Sequence, residues 1–171
     1  MSNKPWVIGI TGFKNSGKTT LVEKLVSEFT ARGLSVSTIK HAHHTFDIDH
    51  KGRDSYRHRK AGAREVAVIS RNQWAIIRDM NEKPEPPLAD ILARLHPCDL
   101  VIVEGYKRDT HPKIEARNIE LDHPHLAGED ETVIAIAASG PVEDAPVPVF
   151  TRDDVTALAD FAMQHLEQAG K

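Results

Sequence analysis

The hydrophobic positions of this chain alternate between short unbroken runs and helical periodicities, the pattern of an α/β protein. Trp6-Val-Ile-Gly-Ile-Thr11 is an apolar run that closes on a glycine-containing turn, as a strand buried on both faces does. Over 18–32 the apolar residues Leu21, Leu25, Val26 and Phe29 recur at spacings of three and four, which predicts a helix stopped by Gly33. The stretch 34–40 is rich in β-branched residues and predicts the next strand. Strand, glycine-rich turn, helix and strand make a βαβ unit with a right-handed crossover.

Further along, 41–52 lacks periodicity and holds four histidines and two aspartates, so a surface loop is expected. A helix is expected over 54–61, ending near Gly62. The runs 65–70 and 74–78 read as strands around Arg71-Asn-Gln73, a hairpin expected to give the sheet an antiparallel pair. Pro84, Pro86 and Pro87 mark a linker or helix entry, and 88–95 predicts a short helix with Leu88, Ile91, Leu92 and Leu95 on one face. The run 99–103 is strongly strand-like, 113–117 alternates as a strand can, and 132–137 reads as a buried strand. Between them 120–130 reads as irregular, and 141–148 as a proline-rich loop around an edge segment. Thr151 is expected to cap the last helix, whose core face is Val155, Leu158, Ala159, Ala162 and Leu166. No repeat or interdomain linker interrupts the chain, so one domain over 1–171 is expected.

Charge narrows the class of partner. The formal net charge is -3, from 22 Lys plus Arg against 25 Asp plus Glu, so a broad positive footprint for nucleic acid or an anionic membrane is missing. The basic stretch from Lys51 through Arg57, Arg59 and Lys60 to Arg64 is the local exception and reads as a solvated helix face. No run approaches the roughly 20 apolar residues that span a bilayer, and no signal-peptide pattern is seen. With Cys98 as its single cysteine the chain can form no intrachain disulfide or multi-cysteine zinc site, and a cytoplasmic location is expected.

The chemistry concentrates at Gly12-Phe-Lys-Asn-Ser-Gly-Lys-Thr19, which matches G-x-x-x-x-G-K-[ST] between a strand and a helix. This is a phosphate cradle running from Gly12 to Thr20, with Asn15 and Ser16 inside it, because unpaired N–H groups at a helix start converge on anionic oxygens. Gly12 and Gly17 let the backbone turn tightly, Lys18 reaches the β and γ phosphates, and Thr19 offers a hydroxyl to Mg²⁺. Thr20 lies one residue deeper and supports the helix or a neighbouring phosphate. Glu104 ends the apolar strand 100–104 at its carboxyl edge and is the candidate Mg²⁺-side carboxylate. Lys107 meets a phosphate or a substrate anion, or is a solvated loop lysine.

Asp47, Asp49 and Asp54 compete as the group that completes the metal shell or orders an attacking water. His41, His43 and His44 suit a transition metal or, without supporting cysteines, a polar substrate loop. The small-residue turn Ala137-Ala-Ser-Gly140 is a place where backbone groups could grip a base, or a plain turn after a strand.

In combination, Gly12-Phe-Lys-Asn-Ser-Gly-Lys-Thr-Thr20, Ile39-Lys-His-Ala-His-His44, Lys51-Gly-Arg-Asp-Ser55, Lys60-Ala-Gly-Ala63 and Leu100-Val-Ile-Val-Glu-Gly-Tyr-Lys107 resemble the MobB family of molybdopterin-guanine dinucleotide biosynthesis proteins. The resemblance runs in order through most of the chain. It implies an α/β P-loop NTPase fold, a mostly parallel sheet flanked by helices, with an added antiparallel hairpin or edge strands. It implies a GTP-binding protein with weak Mg²⁺-dependent GTPase activity that assists attachment of a guanine nucleotide to molybdopterin. The implied partners are the nucleotidyltransferase MobA, molybdopterin or its guanine dinucleotide, and a second copy in a homodimer. Carried over by position, the resemblance implies Asn15, Gly17, Lys18, Thr19 and Thr20 on the nucleotide and Asp54 and Glu104 on the Mg²⁺ side, with His41, His43 and His44 beside the phosphates. No Asn-Lys-x-Asp stretch is present to read guanine, so GTP over ATP rests on the resemblance alone. The rival classes are a small-molecule P-loop kinase and a nucleotide-dependent adaptor, one for metal insertion included. A phosphorylated acceptor marks the first, and nucleotide-sensitive capture of a partner marks the second.

Overall fold

The computed structural model describes residues 4–42, 49–80 and 84–169, so the expectations placed on His43, His44 and Asp47 lie outside the described residues. The chain divides into two compact units, 1–41 with 92–171, and 42–91.

In the larger unit, β1 (Trp6–Thr11), β2 (Val36–Lys40), β5 (Leu100–Glu104), β6 (Lys113–Arg117), β7 (Val133–Ala138) and β8 (Val149–Thr151) form one sheet. Their order is β2-β5-β1-β6-β7-β8, and every neighbouring pair is parallel. The chain leaves β1 towards one side of the sheet and later fills the other, which makes the carboxyl end of β1 a topological switch point. Helices α1 (Lys18–Ala31) and α4 (Val155–Ala169) cover one face. There Leu21, Leu25 and Phe29 of α1 and Leu158, Ala162 and Leu166 of α4 bury themselves on Ile8, Ile10, Ile102 and Ile114. Each buried Leu, Ile or Phe side chain contributes about 1.5–3 kcal/mol on leaving water. The helix periodicity seen in the sequence is therefore this contact.

The sheet shows where local reading misleads. Residues 113–117 alternate as a half-exposed strand would, yet β6 is central, with Lys113 0% and Glu115 1% exposed. Ile114 and Ala116 enter the apolar core. The charged residues between them are matched by partners from the segments around the strand. Lys113 donates to the Asp109 carbonyl at 2.5 Å and pairs with Asp130 at 3.3 Å. Glu115 accepts from the N–H groups of Leu126 and Ala127 at 2.9 and 3.1 Å, at the head of a short 3-10 turn, Leu126–Gly128. Arg117 donates to the carbonyls of Pro124 and His123.

Thr151 ends β8 instead of capping α4. The cap is Asp154, whose carboxylate accepts from the Ala157 N–H at 3.1 Å, because the chain needs three residues to turn from sheet edge to helix.

The smaller unit contains α2 (Asp54–Lys60), β3 (Val66–Ile69) and β4 (Trp74–Ile77). The expected hairpin forms, in the register Val66↔Ile77 to Ile69↔Trp74, but as its own two-stranded sheet and not as part of the larger one. The proline entry leads to α3 (Leu88–Leu92), shorter than the periodicity suggests; the chain then turns ahead of Pro97, whose predecessor is disfavoured in a helix. Among the described residues no helix is long and apolar enough to cross a membrane.

Candidate functional site

Because β1 sits between β5 and β6, the turn that follows it opens at the centre of the sheet's carboxyl edge. Three residues in that turn hold positive φ: Gly12 at 144°, Asn15 at 63° and Gly17 at 93°. A Cβ on Gly12 would lie 2.5 Å from both the Ala116 carbonyl and the Ser16 hydroxyl, so no larger residue fits where the loop presses on β6. A Cβ on Gly17 would lie 2.3 Å from an Arg152 guanidinium nitrogen. The loop thus lies against β6 at Gly12 and under the end of the Arg152 side chain at Gly17.

Helix α1 starts directly from Gly17, with no side-chain cap and no acidic residue in its first turn. Its first N–H groups therefore lack intrahelical acceptors and carry the positive end of the helix dipole. Lys18 arches back over the loop, its Nζ donating to the Phe13 carbonyl at 2.7 Å and the Gly12 carbonyl at 3.2 Å. Burial pushes the Lys18 ammonium pKa down; Glu104 opposes this, and Lys107 and Lys40 add to the lowering. Among the described residues, the carboxylate that offsets the lysines around this helix start is Glu104, and a bound polyanion would relieve the repulsion further.

Glu104 stands at the tip of β5, in register with Ile10 of β1 and Lys40 of β2. The Thr19 hydroxyl donates to its Oε2 at 3.5 Å, and Lys40 Nζ lies 3.6 Å from its Oε1. Behind it, the His41 N–H donates to the Glu104 carbonyl at 2.8 Å, and the His41 ring stacks on Tyr106 with centroids 4.5 Å apart. Tyr106 itself has φ 48°, uncommon for a bulky residue, and the stack helps hold the turn that carries Lys107.

On the other flank, Phe13 stacks on His123 with centroids 4.2 Å apart, and the His123 carbonyl accepts from Arg117 at 2.5 Å. Ser16 is 3% exposed, its Oγ has no hydrogen-bond partner, and it lines a cavity of about 10 Å³ under the loop. That is room for about one water molecule. Arg152 follows β8, its N–H donating to the Ala138 carbonyl at 2.9 Å and its guanidinium to the Ser16 carbonyl at 3.2 Å.

The residues present fit a nucleoside polyphosphate with Mg²⁺: a glycine cradle no Cβ could enter, an uncapped helix start, an orphaned buried hydroxyl, and a hydroxyl–carboxylate pair of hard oxygen donors. Gly12, Asn15, Ser16, Gly17, Lys18, Thr19 and Thr20 come together with Glu104 in the larger unit, with Lys107 exposed three residues beyond Glu104. Asp49 and Asp54 belong to the smaller unit. There Asp49 is 6% exposed and accepts from Ser55 at 2.6 Å and from Arg59 at 3.2 Å, whereas Asp54 stands exposed at the head of α2. Sequence reasoning missed Lys40, His123 and Arg152. Lys40 and Arg152 obey the rule that pointed to Glu104, since each sits at or just past the carboxyl end of a parallel strand.

The comparisons with known proteins agree with this geometry. Residues 7–139 match the family model described as molybdopterin guanine dinucleotide synthesis protein B. A molybdopterin-guanine dinucleotide biosynthesis adapter protein of Haemophilus influenzae is 43% identical over 146 residues, 84% of this chain and 80% of the relative. Its Escherichia coli counterpart of the same name is 34% identical over 165 residues, 95% of this chain and 94% of the relative. A crystal structure of molybdopterin-guanine biosynthesis protein B superimposes with a TM-score of 0.72 at 27% identity, covering 94% of this chain and 99% of the other. The chain belongs to the family of molybdopterin guanine dinucleotide synthesis protein B, MobB.

Proposed function

We propose that the chain is a GTP-binding adapter with slow, Mg²⁺-dependent GTPase activity that assists attachment of a guanine nucleotide to molybdopterin, with a MobA-like nucleotidyltransferase as its partner. The observation that carries this reading is the closed loop at 12–17 leading into an uncapped, acid-free helix start under Lys18. Family membership supplies the pathway. In this reading 1–171 works as a single P-loop nucleotide-binding domain in the cytoplasm.

The N–H groups of the loop and of the first turn of α1 hold the phosphate chain, with Asn15, Ser16 and Thr20 lining it. Lys18 exchanges the Gly12 and Phe13 carbonyls, its present acceptors, for β and γ oxygens. Thr19 and Glu104 hold Mg²⁺, which when bound neutralises charge developing between the β and γ phosphates. Asp54 supplies the further carboxylate on the metal side. Asp47, Asp49 or Asp54 orders the attacking water, and Asp49 would do so while accepting from Ser55 and Arg59. Lys107 receives a phosphate, and His41, His43 and His44 border the site as a polar substrate loop.

A homodimer completes the reading. Its support is the two-stranded sheet, where Val68, Ile69, Trp74 and Ile76 are 45%, 76%, 69% and 57% exposed. A two-stranded sheet with that much exposed apolar surface is marginal in water, and a second copy would cover it. Sedimentation equilibrium is expected to give twice the chain mass.

The test of function is equilibrium binding of GTP and ATP, with and without Mg²⁺, alongside phosphate release and MobA capture. GTP is expected to bind more tightly than ATP, to release free phosphate slowly and to alter retention of MobA. Equal affinity for ATP, or a phosphorylated small-molecule acceptor, would overturn the assignment.

A further inference from the structure

We propose that Arg152 contacts the nucleobase: its guanidinium, tethered to the Ser16 carbonyl, forms a flat cationic surface on which the base of the bound nucleotide stacks. This rests on the phosphate-loop reading above and adds the nucleoside end of the same site.

The sheet order sets the direction in which a nucleotide lies. Thr19 and Glu104 mark the metal end, where the β and γ phosphates belong, on the β5 flank of β1. The nucleoside then leaves on the opposite flank, towards the ends of β7 and β8. Arg152 stands on that flank. Its backbone is held to the end of β7 by its N–H bond to the Ala138 carbonyl, and its own carbonyl accepts from Lys24 of α1 at 3.2 Å. Asp153 beside it takes a second bond from Lys24 at 2.8 Å. With its backbone anchored on both sides, the side chain runs back over Gly17 to Ser16.

The charge is misplaced for a purely structural role. A guanidinium beside a helix N-terminus meets the positive end of the dipole and lies over the same loop as Lys18, a repulsion that neighbouring Asp153 offsets only in part and that an anionic ligand would relieve. A single bond to the Ser16 carbonyl uses one of five guanidinium donors, and Arg152 is only partly buried, with its guanidinium lying beside Gly17. Arg stacks on aromatic rings through its faces, and a half-buried guanidinium held by one edge is prepared for that contact. Stacking is tolerant of base identity because every base has a π face. The surface therefore adds affinity for a nucleoside over bare phosphate without choosing between purines.

The test compares binding of GTP and of inorganic tripolyphosphate, each with Mg²⁺, to the full chain and to Arg152→Ala and Arg152→Lys. Arg152→Ala is expected to weaken GTP about tenfold while tripolyphosphate changes less than about twofold. Arg152→Lys, which keeps the charge and loses the plane, is expected to recover less than half of that loss on a logarithmic scale. Equal losses for both ligands would make Arg152 a phosphate or loop-positioning residue and overturn the inference, as would full recovery in the lysine variant. Unchanged GTP affinity in Arg152→Ala would sink the inference alone. Failure of the unaltered chain to bind either ligand would sink the phosphate-loop reading with it. Retained tripolyphosphate binding in the variant reports that the loop is still folded.

Discussion

The strands on either side of β1 meet the same requirement by opposite means. β5 is apolar through Leu100, Val101, Ile102 and Val103, all 0% exposed, and carries its one carboxylate at the tip. β6 is as deeply buried but places Lys113, Glu115 and Arg117 at every second position, each with partners. Apolar burial leaves Glu104 available to a hydroxyl and an incoming cation, whereas the β6 charges are consumed in fastening 118–130 to the sheet. That segment ends its work at Phe13, through the His123 stack. The carboxylate inside β6 is spent on the fold, whereas the one at the end of β5 keeps its oxygens towards a hydroxyl and a lysine at the sheet edge.

The comparison breaks most readily at Glu115. Glu115→Ala leaves the Leu126 and Ala127 N–H groups without their acceptor and Arg117 without its carboxylate, while Arg117 keeps its carbonyl partners, and is expected to lower stability by about 3 kcal/mol in urea unfolding. A loss under about 1 kcal/mol would show that the β6 charges are ornamental. On the apolar side, Ile102→Val removes one methylene from the core and is expected to cost about 1 kcal/mol with GTP affinity unchanged.

Glu104→Gln sharpens the contrast from the functional end. Its ion pair with the exposed Lys40 is worth under about 1 kcal/mol, so thermal stability should barely move. The increase in GTP affinity brought by Mg²⁺ should fall about tenfold in the same variant, by titration calorimetry. An unaltered Mg²⁺ dependence would remove Glu104 from the metal side.

The smallest expected effect is a pH slope. Burial lowers the pKa of His111 below its ordinary 6.5, helped by Lys113 and opposed by Asp109 and Asp130. The unfolded chain then binds the proton more readily, so the His111 contribution is complete above pH 6.5 and is lost as pH falls through the lowered folded value. Asp130 behaves differently: burial alone would raise its pKa, but the Thr132 hydrogen bonds and Lys113 bring it below 3.8, so its contribution fades only under that pH. Melting between pH 7.5 and 5 is thus expected to drop less in His111→Gln than in the unaltered chain. Equal drops would assign the slope elsewhere.

Much of the fold was legible because its signals are local. The run 6–11, the periodicity of 18–32 and the motif between them specify β1, α1 and the loop without distant information. Pairing is not local. The hairpin at 66–77 was readable from its two strands, but its separation from the main sheet was not. For the same reason the alternation of 113–117 announced a strand but not its burial: the partners of Lys113 and Glu115 include residues 11 to 19 positions away. Thr151 looked like a cap because a threonine before two aspartates is a strong start signal, and three residues of edge strand do not announce themselves. Arg152, one residue on, carries no motif at all; only the sheet order places it against Ser16.

The most direct test of the account is the affinity of Lys18→Ala for GTP with Mg²⁺, measured by titration calorimetry beside the unaltered chain. The geometry over Gly12 and Phe13 predicts a loss of about 100-fold with the fold retained by circular dichroism. Equal affinity in the two proteins would contradict the assignment of this loop as a phosphate cradle.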